Sequence, residues 1–306
     1  MRSFTAVTLV TSLLAPLPAR GQAEPAPAIL DTGALATAIR ARAAGVAGAE
    51  VAVSYRDLQS GRRVDVNGHT SFHAASTMKV PVMLEVLRAT QEARLSLDQG
   101  ILLVNQFRSI VDGSRYSLDP AADSDSSMYA RVGERVPVRE LLERMIVRSS
   151  NLATNALIAL VGADRANETA HALGATEMHV LRGVEDQKAF DAGLINTTTS
   201  ADLATLLERI ERGDALSAAN TRLMREILLH QELNDEIPAG LPPGTPVAHK
   251  TGSITGTLHD AAIVYPANGT PYVLVVLTRG IPDQTVARQM IVDISRLVWE
   301  QTMVAR

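Results

Sequence analysis

Ser76 and Lys79 stand three residues apart in Phe72-His-Ala-Ala-Ser-Thr-Met-Lys-Val-Pro-Val-Met-Leu84, where a short polar stretch runs into an apolar one. If a helix opens here, positions i and i+3 share a face, and a hydroxyl and an amine stand side by side. A serine hydroxyl becomes a nucleophile when a base takes its proton, and a lysine desolvated by its neighbours can be that base. A helix N-terminus adds N–H groups and a positive dipole end that suit a developing oxyanion. Alone, the pair has a plainer reading: a helix N-cap serine followed by a solvated lysine.

Two further polar clusters fall at element edges. Ser149-Ser-Asn151 interrupts two helical patterns within Met145-Ile-Val-Arg-Ser-Ser-Asn-Leu-Ala-Thr-Asn155. A helix junction can use such residues merely as caps. Lys250-Thr-Gly252 opens a strand pattern. A glycine there permits close approach of a ligand, and a strand edge offers N–H and C=O groups to a substrate backbone, although a simple turn has the same composition.

The elements that must bring these clusters together follow from periodicity. A helix is expected over Ile29–Ala47, then a hairpin of Glu50–Arg56 and Arg62–Val66, then a helix from Ser76 to about Glu92. Helical spacing recurs over Val138–Val147, Asn155–Val161, Arg165–Leu173, Ala201–Ile210 and Ala218–Leu229. The polar stretch Asn105–Glu134 lacks calcium-loop spacing and reads as a surface loop, and Arg182–Asn196 reads as a long loop. Val247–Ser253, His259–Tyr265 and Tyr272–Thr278 read as strands, and Asp283–Gln301 as a closing helix. Strands at both ends and helices between predict a mixed α/β (α+β) fold. A five-stranded antiparallel sheet is flanked by terminal helices and joined to an all-helical lobe. The expected domain is 29–306, with an α/β lobe from about 29–75 and 212–306 around a helical lobe at about 76–211.

Composition narrows the function classes. The 306 residues are 46% hydrophobic, 20% charged and 3% aromatic, with a net charge of −4 and no basic run, so neither nucleic acid nor an anionic membrane is an implied partner. Arg2, the apolar run Phe4–Leu14, Pro16, Pro18 and Gly21-Gln-Ala23 read as a signal peptide (1–23) cleaved after Ala23, with Ala19 as the second choice, followed by a leader at 24–28. The run is too short for a membrane anchor. Zero cysteines exclude a thiol nucleophile, a disulfide and a lipoprotein anchor. A bacterial periplasmic or secreted enzyme is expected. His73, His179 and His249 lack a His-x-His-x-Asp spacing, so no metal and no cofactor is expected.

Ser-x-x-Lys, Ser-x-Asn and Lys-Thr-Gly, in that order on a helix start, a helix junction and a strand, resemble the penicillin-recognising serine hydrolases. Met145-Ile-Val, Asn155 and Asn196-Thr-Thr-Thr199 are similar to class A β-lactamases in particular. The resemblance spans nearly the whole chain after Ala23 and implies a β-lactamase/transpeptidase-like fold. It also implies a monomeric serine hydrolase that opens a small-molecule β-lactam and so confers antibiotic resistance. Under it, Ser76 attacks the lactam carbonyl and forms an acyl-enzyme, and Lys79 accepts or relays its proton. Ser149 passes a proton to the leaving nitrogen, and Asn151 binds the substrate's amide side chain. Lys250 and Thr251, ahead of Gly252, hold the carboxylate, and the N–H groups of Ser76 and Ser253 form the oxyanion hole. Two other activities share the acylation half: a D-alanyl-D-alanine peptidase-like hydrolase, and a non-hydrolytic β-lactam or peptidoglycan sensor acylated at Ser76.

The chain departs from the class A pattern in three places. Ser150 stands where Asp is usual. Arg182-Gly-Val-Glu-Asp-Gln-Lys188 replaces Arg-x-Glu-x-x-x-Asn, so the first acid comes one residue later and no Asn follows at that spacing. Glu185 is the first candidate for the base that activates the deacylating water and Asp186 the second; a surface carboxylate without a role is the plain alternative. Leu258 stands where many members place a carboxylate-binding Arg, with Arg222 and Arg279 as candidates to replace it.

Overall fold

The computed structural model describes Met1, residues 31–267 and residues 269–304. The expected signal peptide, its leader and the start of the Ile29 helix lie outside the described residues. Asp31 opens α1 (Thr32–Ala44) by accepting the Gly33 and Ala34 amides, an N-cap that satisfies two of the free N–H groups. The helix buries Leu35 and Ile39, four residues apart, and packs on α9 (Gln284–Val304). β1 (Glu50–Asp57) returns as β2 (Arg63–Val66) through a turn in which Asp57 accepts the Gln59 and Ser60 amides.

Three small ribbons follow, pairing β3 (Phe72–His73) with β8 (Thr197–Thr198), β4 (Gly100–Leu102) with β7 (Arg135–Pro137), and β5 (Phe107–Arg108) with β6 (Arg115–Tyr116). β9 (Val247–Ile254), β10 (Thr257–Val264) and β11 (Tyr272–Arg279) complete the main sheet. Its order is β2-β1-β11-β10-β9, and every neighbouring pair is antiparallel. The central strand β11 shows no polar alternation because both its faces are covered. Leu274 and Val276 join the core under α1 and α9. Val273, Val275 and Leu277 face the opposite core, where α7 (Ser200–Arg212) lies across β1, β10 and β11.

The helical part is built around α2 (Lys79–Gln91), which follows a 3-10 turn at Ala75–Met78. Its side chains are buried almost all round, the pattern of a helix enclosed by others. Those neighbours are α3 (Val138–Val147), α4 (Asn151–Val161), α5 (Ala163–Ala172) and α8 (Ala218–Leu229). Pro81 sits in the first turn of α2, where its missing N–H costs no helical bond. The expected layout of a five-stranded antiparallel sheet, terminal helices and helical lobe is the one observed. The Asn105–Glu134 stretch differs from a plain surface loop: Asp123 and Asp125 are buried within it.

Candidate active site

Four segments meet at one cleft of about 340 Å³: the turn before α2, the α3–α4 junction, the loop between α5 and α7, and the edge strand β9. Ser76, Asn151, Glu185 and Ser253 line it, whereas Lys79, Ser149, Lys250 and Thr251 are buried behind that wall. Ser76 lies on the 3-10 turn and Lys79 is the first residue of α2; residues i and i+3 of such a turn eclipse one another, so the two share a side.

Lys79 Nζ donates to the Ser149 carbonyl (2.7 Å), Ser149 Oγ (3.0 Å) and Asn151 Oδ1 (3.0 Å). Lys250 Nζ donates to the same Ser149 Oγ at 3.0 Å and to the Thr251 carbonyl at 2.9 Å. Two lysines therefore converge on one hydroxyl, and both are fully buried. Burial pushes Lys79 well below the ordinary lysine range and Lys250 adds to the shift, while Asp123 and Glu185 oppose it. Burial lowers Lys250 to about 7, against the opposing charges of Asp260 and Glu236.

The α3–α4 junction presents Ser149 through a left-handed backbone (φ 58°). Ser150, where the resembling family usually has Asp, caps α4 by accepting the Ala153 amide at 3.2 Å. A carboxylate is supplied from elsewhere. Buried Asp123 accepts the Asn151 and Leu152 amides, all at 3.0 Å, at the positive end of α4. Asp123 also accepts the Asp125 amide at 3.0 Å and the Tyr129 hydroxyl at 2.9 Å, but its partners on α4 lie 28 and 29 residues further on, where the sequence gives no sign of them.

The loop that carries Glu185 is closed at its neck. Asn196 Oδ1 accepts the Leu181 and Arg182 amides (2.8 and 3.1 Å), and its Nδ2 donates to the Arg182 carbonyl at 3.0 Å. Asn155 then clamps Val184, accepting its amide at 2.7 Å and donating to its carbonyl at 3.0 Å. Gly183 is required by that contact, since a Cβ would stand 2.5 Å from Asn155 Oδ1. Glu185 adopts φ 61°, and its Oε1 accepts from Asn151 Nδ2 at 2.7 Å. The acid displaced by one residue in sequence thus reaches the cleft by a left-handed turn. Asp186, the second candidate, is 2% exposed and occupied with the Ile110 amide (3.0 Å) and with the cap of α6 (Gln187–Asp191) through the Ala189 amide (3.2 Å).

Gly252 brings β9 against the turn that carries Ser76; a Cβ there would lie 3.1 Å from both the Ser76 and Thr77 amide nitrogens. Leu258 is buried in the core under α9. Neither candidate to replace it lines the cleft. Arg279 forms a bidentate pair with Glu50 (2.6 and 2.7 Å) and lies over the Phe72 ring, and Arg222 is exposed on α8. Arg182 does line the cleft. Sequence reasoning missed the position of His73, which also lines it, and the pairing of His249 with Asp260 at 2.9 Å on the opposite face of the sheet edge.

Known proteins are similar to this chain over most of its length. The β-lactamase L2 of Stenotrophomonas maltophilia is 28% identical over 290 residues, which is 89% of this chain and 87% of that protein. A β-lactamase of Streptomyces albus G is 28% identical over 259 residues, 83% of this chain and 80% of that one. Among solved structures, PBP-A superposes with a TM-score of 0.79 at 26% identity, covering 90% of this chain and 98% of its own. A mutant of PBP-A is described as an acyl-enzyme complex with penicillin G. The profile of a family described as the beta-lactamase enzyme family matches residues 34–302. That match spans the sheet, the helical lobe and every segment of the cleft, and the chain belongs to the beta-lactamase enzyme family, within the superfamily of class A serine β-lactamases and penicillin-binding proteins.

Proposed function

We propose that the protein hydrolyses β-lactams through an acyl-enzyme on Ser76, in the bacterial periplasm or outside the cell. The observation that carries this reading is the continuous chain of contacts from Lys250 through Ser149 to Lys79, and from Lys79 through Asn151 to Glu185. A neutral Lys79, favoured by its burial, has two hydrogens and a lone pair. It can donate to the Ser149 carbonyl and Asn151 while the Ser149 hydroxyl turns to donate to it, and Lys250 donates to that hydroxyl in turn. When the Ser149 hydroxyl turns away toward the lactam nitrogen, the lone pair is freed and Lys79 can take the Ser76 proton as the hydroxyl attacks the lactam carbonyl. The proton then passes by way of Ser149 to the lactam nitrogen as the ring C–N bond breaks.

The close approach of Gly252 to the Ser76 amide supports an oxyanion hole of the Ser76 and Ser253 N–H groups, since it brings the start of Ser253 beside the nucleophile. Losing such a donor typically costs on the order of two to three powers of ten in rate. Lys250, Thr251 and Asn151 are proposed to bind the substrate. Glu185 is proposed to activate the water that cleaves the acyl ester, supported by its bond to Asn151 at 2.7 Å.

A second reading, a peptidase-like hydrolase or a sensor that acylates without fast release, is favoured by the likeness to PBP-A. One experiment separates the two. Purified protein is mixed with a chromogenic cephalosporin, followed for turnover and examined by intact-mass spectrometry. Sustained hydrolysis that disappears in Ser76→Ala and stalls as an adduct in Glu185→Gln is the expected result. A long-lived adduct on the unaltered protein, with no turnover, would sink the lactamase reading in favour of the second.

A further inference from the structure

Ala75, immediately before the nucleophile, has φ 45°, a left-handed backbone that a residue with a Cβ keeps only when its surroundings hold it there. Three sets of bonds do so. The Ala74 amide donates to the Asn196 carbonyl at 2.8 Å, and the Ala74 carbonyl accepts both the Thr77 amide (3.1 Å) and Thr77 Oγ1 (2.6 Å). The third is the Ala75 amide itself, which donates to His73 Nδ1 at 3.0 Å. The His73 ring is in turn fixed. Its backbone pairs with Thr197, its carbonyl lies 2.9 Å from His259 Nε2, and its edge meets the Phe190 ring at 6.2 Å between centroids.

We propose that His73 is a positioning residue for Ser76: Nδ1 of its neutral ring holds the Ala75 amide, and so fixes the left-handed turn that presents the Ser76 hydroxyl and N–H to the cleft. The proposal rests on the reading of Ser76 as the nucleophile. A ring nitrogen accepts an N–H only when it carries no proton, so the bond to Ala75 sets the tautomer with hydrogen on Nε2. Burial, helped by the charge of Arg182, makes the ring harder to protonate and keeps that acceptor present near neutral pH. The other titratable group against it, His259, is lowered by its own burial to about 4 and is neutral as well. Its Nε2 stands 2.9 Å from the His73 carbonyl, and its Nδ1 stands 2.8 Å from the Leu258 carbonyl and 3.2 Å from the Thr278 amide. In acid, His73 gains a proton on Nδ1 and two N–H donors then face each other. The turn loses its holder, and acylation falls on the acid side.

Two substitutions separate the acceptor from the ring. His73→Asn places an amide oxygen where Nδ1 stood and cannot titrate. His73→Phe keeps an aromatic ring against Phe190 and offers no acceptor. The acylation rate of each is measured with a chromogenic cephalosporin in single turnover, from neutral pH into the acid range, with thermal unfolding as the check on folding. His73→Phe is expected to acylate about tenfold or more slowly at every pH, because a half-buried N–H is left unpaired. His73→Asn is expected to approach the unaltered protein near neutral pH and to lose the part of the acid decline that His73 causes. A folded His73→Phe that acylates normally, or a His73→Asn with an unaltered acid decline, would overturn the proposal. If His73→Phe fails to fold, the acid limb of His73→Asn decides alone. An adduct that persists in Ser76→Ala would instead overturn the reading of the nucleophile, and leave that of His73 without a subject.

Discussion

Replacing Gly183 by Ala should separate the two halves of the reaction. The backbone at 183 is not left-handed, so the obstacle to a side chain is steric: a Cβ would stand 2.5 Å from Asn155 Oδ1 and 2.9 Å from its Cγ. Ordinary contacts of this kind lie at about 3.5 Å or more, so one partner must move by roughly 1 Å. If Asn155 moves, it loses the Val184 amide and carbonyl that it holds at 2.7 and 3.0 Å. A buried amide left unpaired costs about 1–3 kcal/mol of stability. If the loop moves instead, Glu185 moves with it, two residues from the clash. A misplacement of about 1 Å can cost on the order of a hundredfold in rate, or about 2.7 kcal/mol of barrier. Ser76, Lys79 and Ser149 are held by other segments. Gly183→Ala should therefore acylate nearly normally and deacylate about a hundredfold more slowly. A stopped-flow burst with a chromogenic cephalosporin, and intact-mass detection of the accumulating adduct, read the two steps separately. Steady-state turnover at the unaltered level would refute the reasoning. So would a burst slowed as much as the later step, since the loop would then serve acylation too.

Lys250 lies at about 7 in the fold, below its ordinary 10.5, so between about pH 7 and 10 the unfolded chain binds a proton that the folded one lacks. Stability should rise with pH across that window, as the cost of burying the ammonium is relieved. Lys79 contributes with the same sign. Urea unfolding of Ser76→Ala at about pH 7 and about pH 9 should show the rise, and adding Lys250→Met should flatten it; an equal slope in both would count against the assignment. Asp123→Asn keeps the shape of the side chain but removes the charge that meets the Asn151 and Leu152 amides. It should cost about 2 kcal/mol in thermal unfolding and slow acylation, because Ser149 and Asn151 flank that helix start. A loss below about 0.5 kcal/mol would mean that other bonds hold the start of α4.

The legible parts of this protein were the local ones. The β1–β2 hairpin and the strand that carries Lys250-Thr-Gly252 are each decided by neighbours in sequence. The three motifs are legible for the same reason, because each packs its chemistry into four consecutive residues or fewer. The parts that resisted were decided across the chain. Asp123 supplies a carboxylate to the start of α4 from 28 residues away. Arg279 looked available to replace a cation at Leu258, yet its guanidinium is committed to Glu50, 229 residues distant. Asp186 looked like a rival to Glu185 until the fold turned it toward the Ile110 amide and the start of α6.

The site also hides from sequence because it is strained where no glycine announces it. Five described residues other than glycine have left-handed backbones, and Ala75, Ser149 and Glu185 are three of them. Such a backbone costs a residue with a Cβ about 1–2 kcal/mol, so local preference points away from the observed conformation at all three. They are not held equally. Ala75 is fixed by bonds to His73 and within its own turn, and the Ser149 carbonyl accepts from Lys79 and Ser124. Both turns sit against the packed start of α2. The Glu185 side chain is tied by Asn151 at 2.7 Å and by a long 3.4 Å bond from the Asp119 amide, and its backbone is steadied through its neighbour Val184. Under the proposed roles, the groups that acylate are thus anchored in the core, and the group that deacylates is anchored through one asparagine and a loop. A single substitution in that loop can turn a hydrolase into a trap for its own acyl-enzyme without unfolding anything, whereas the converse change would need the core rebuilt.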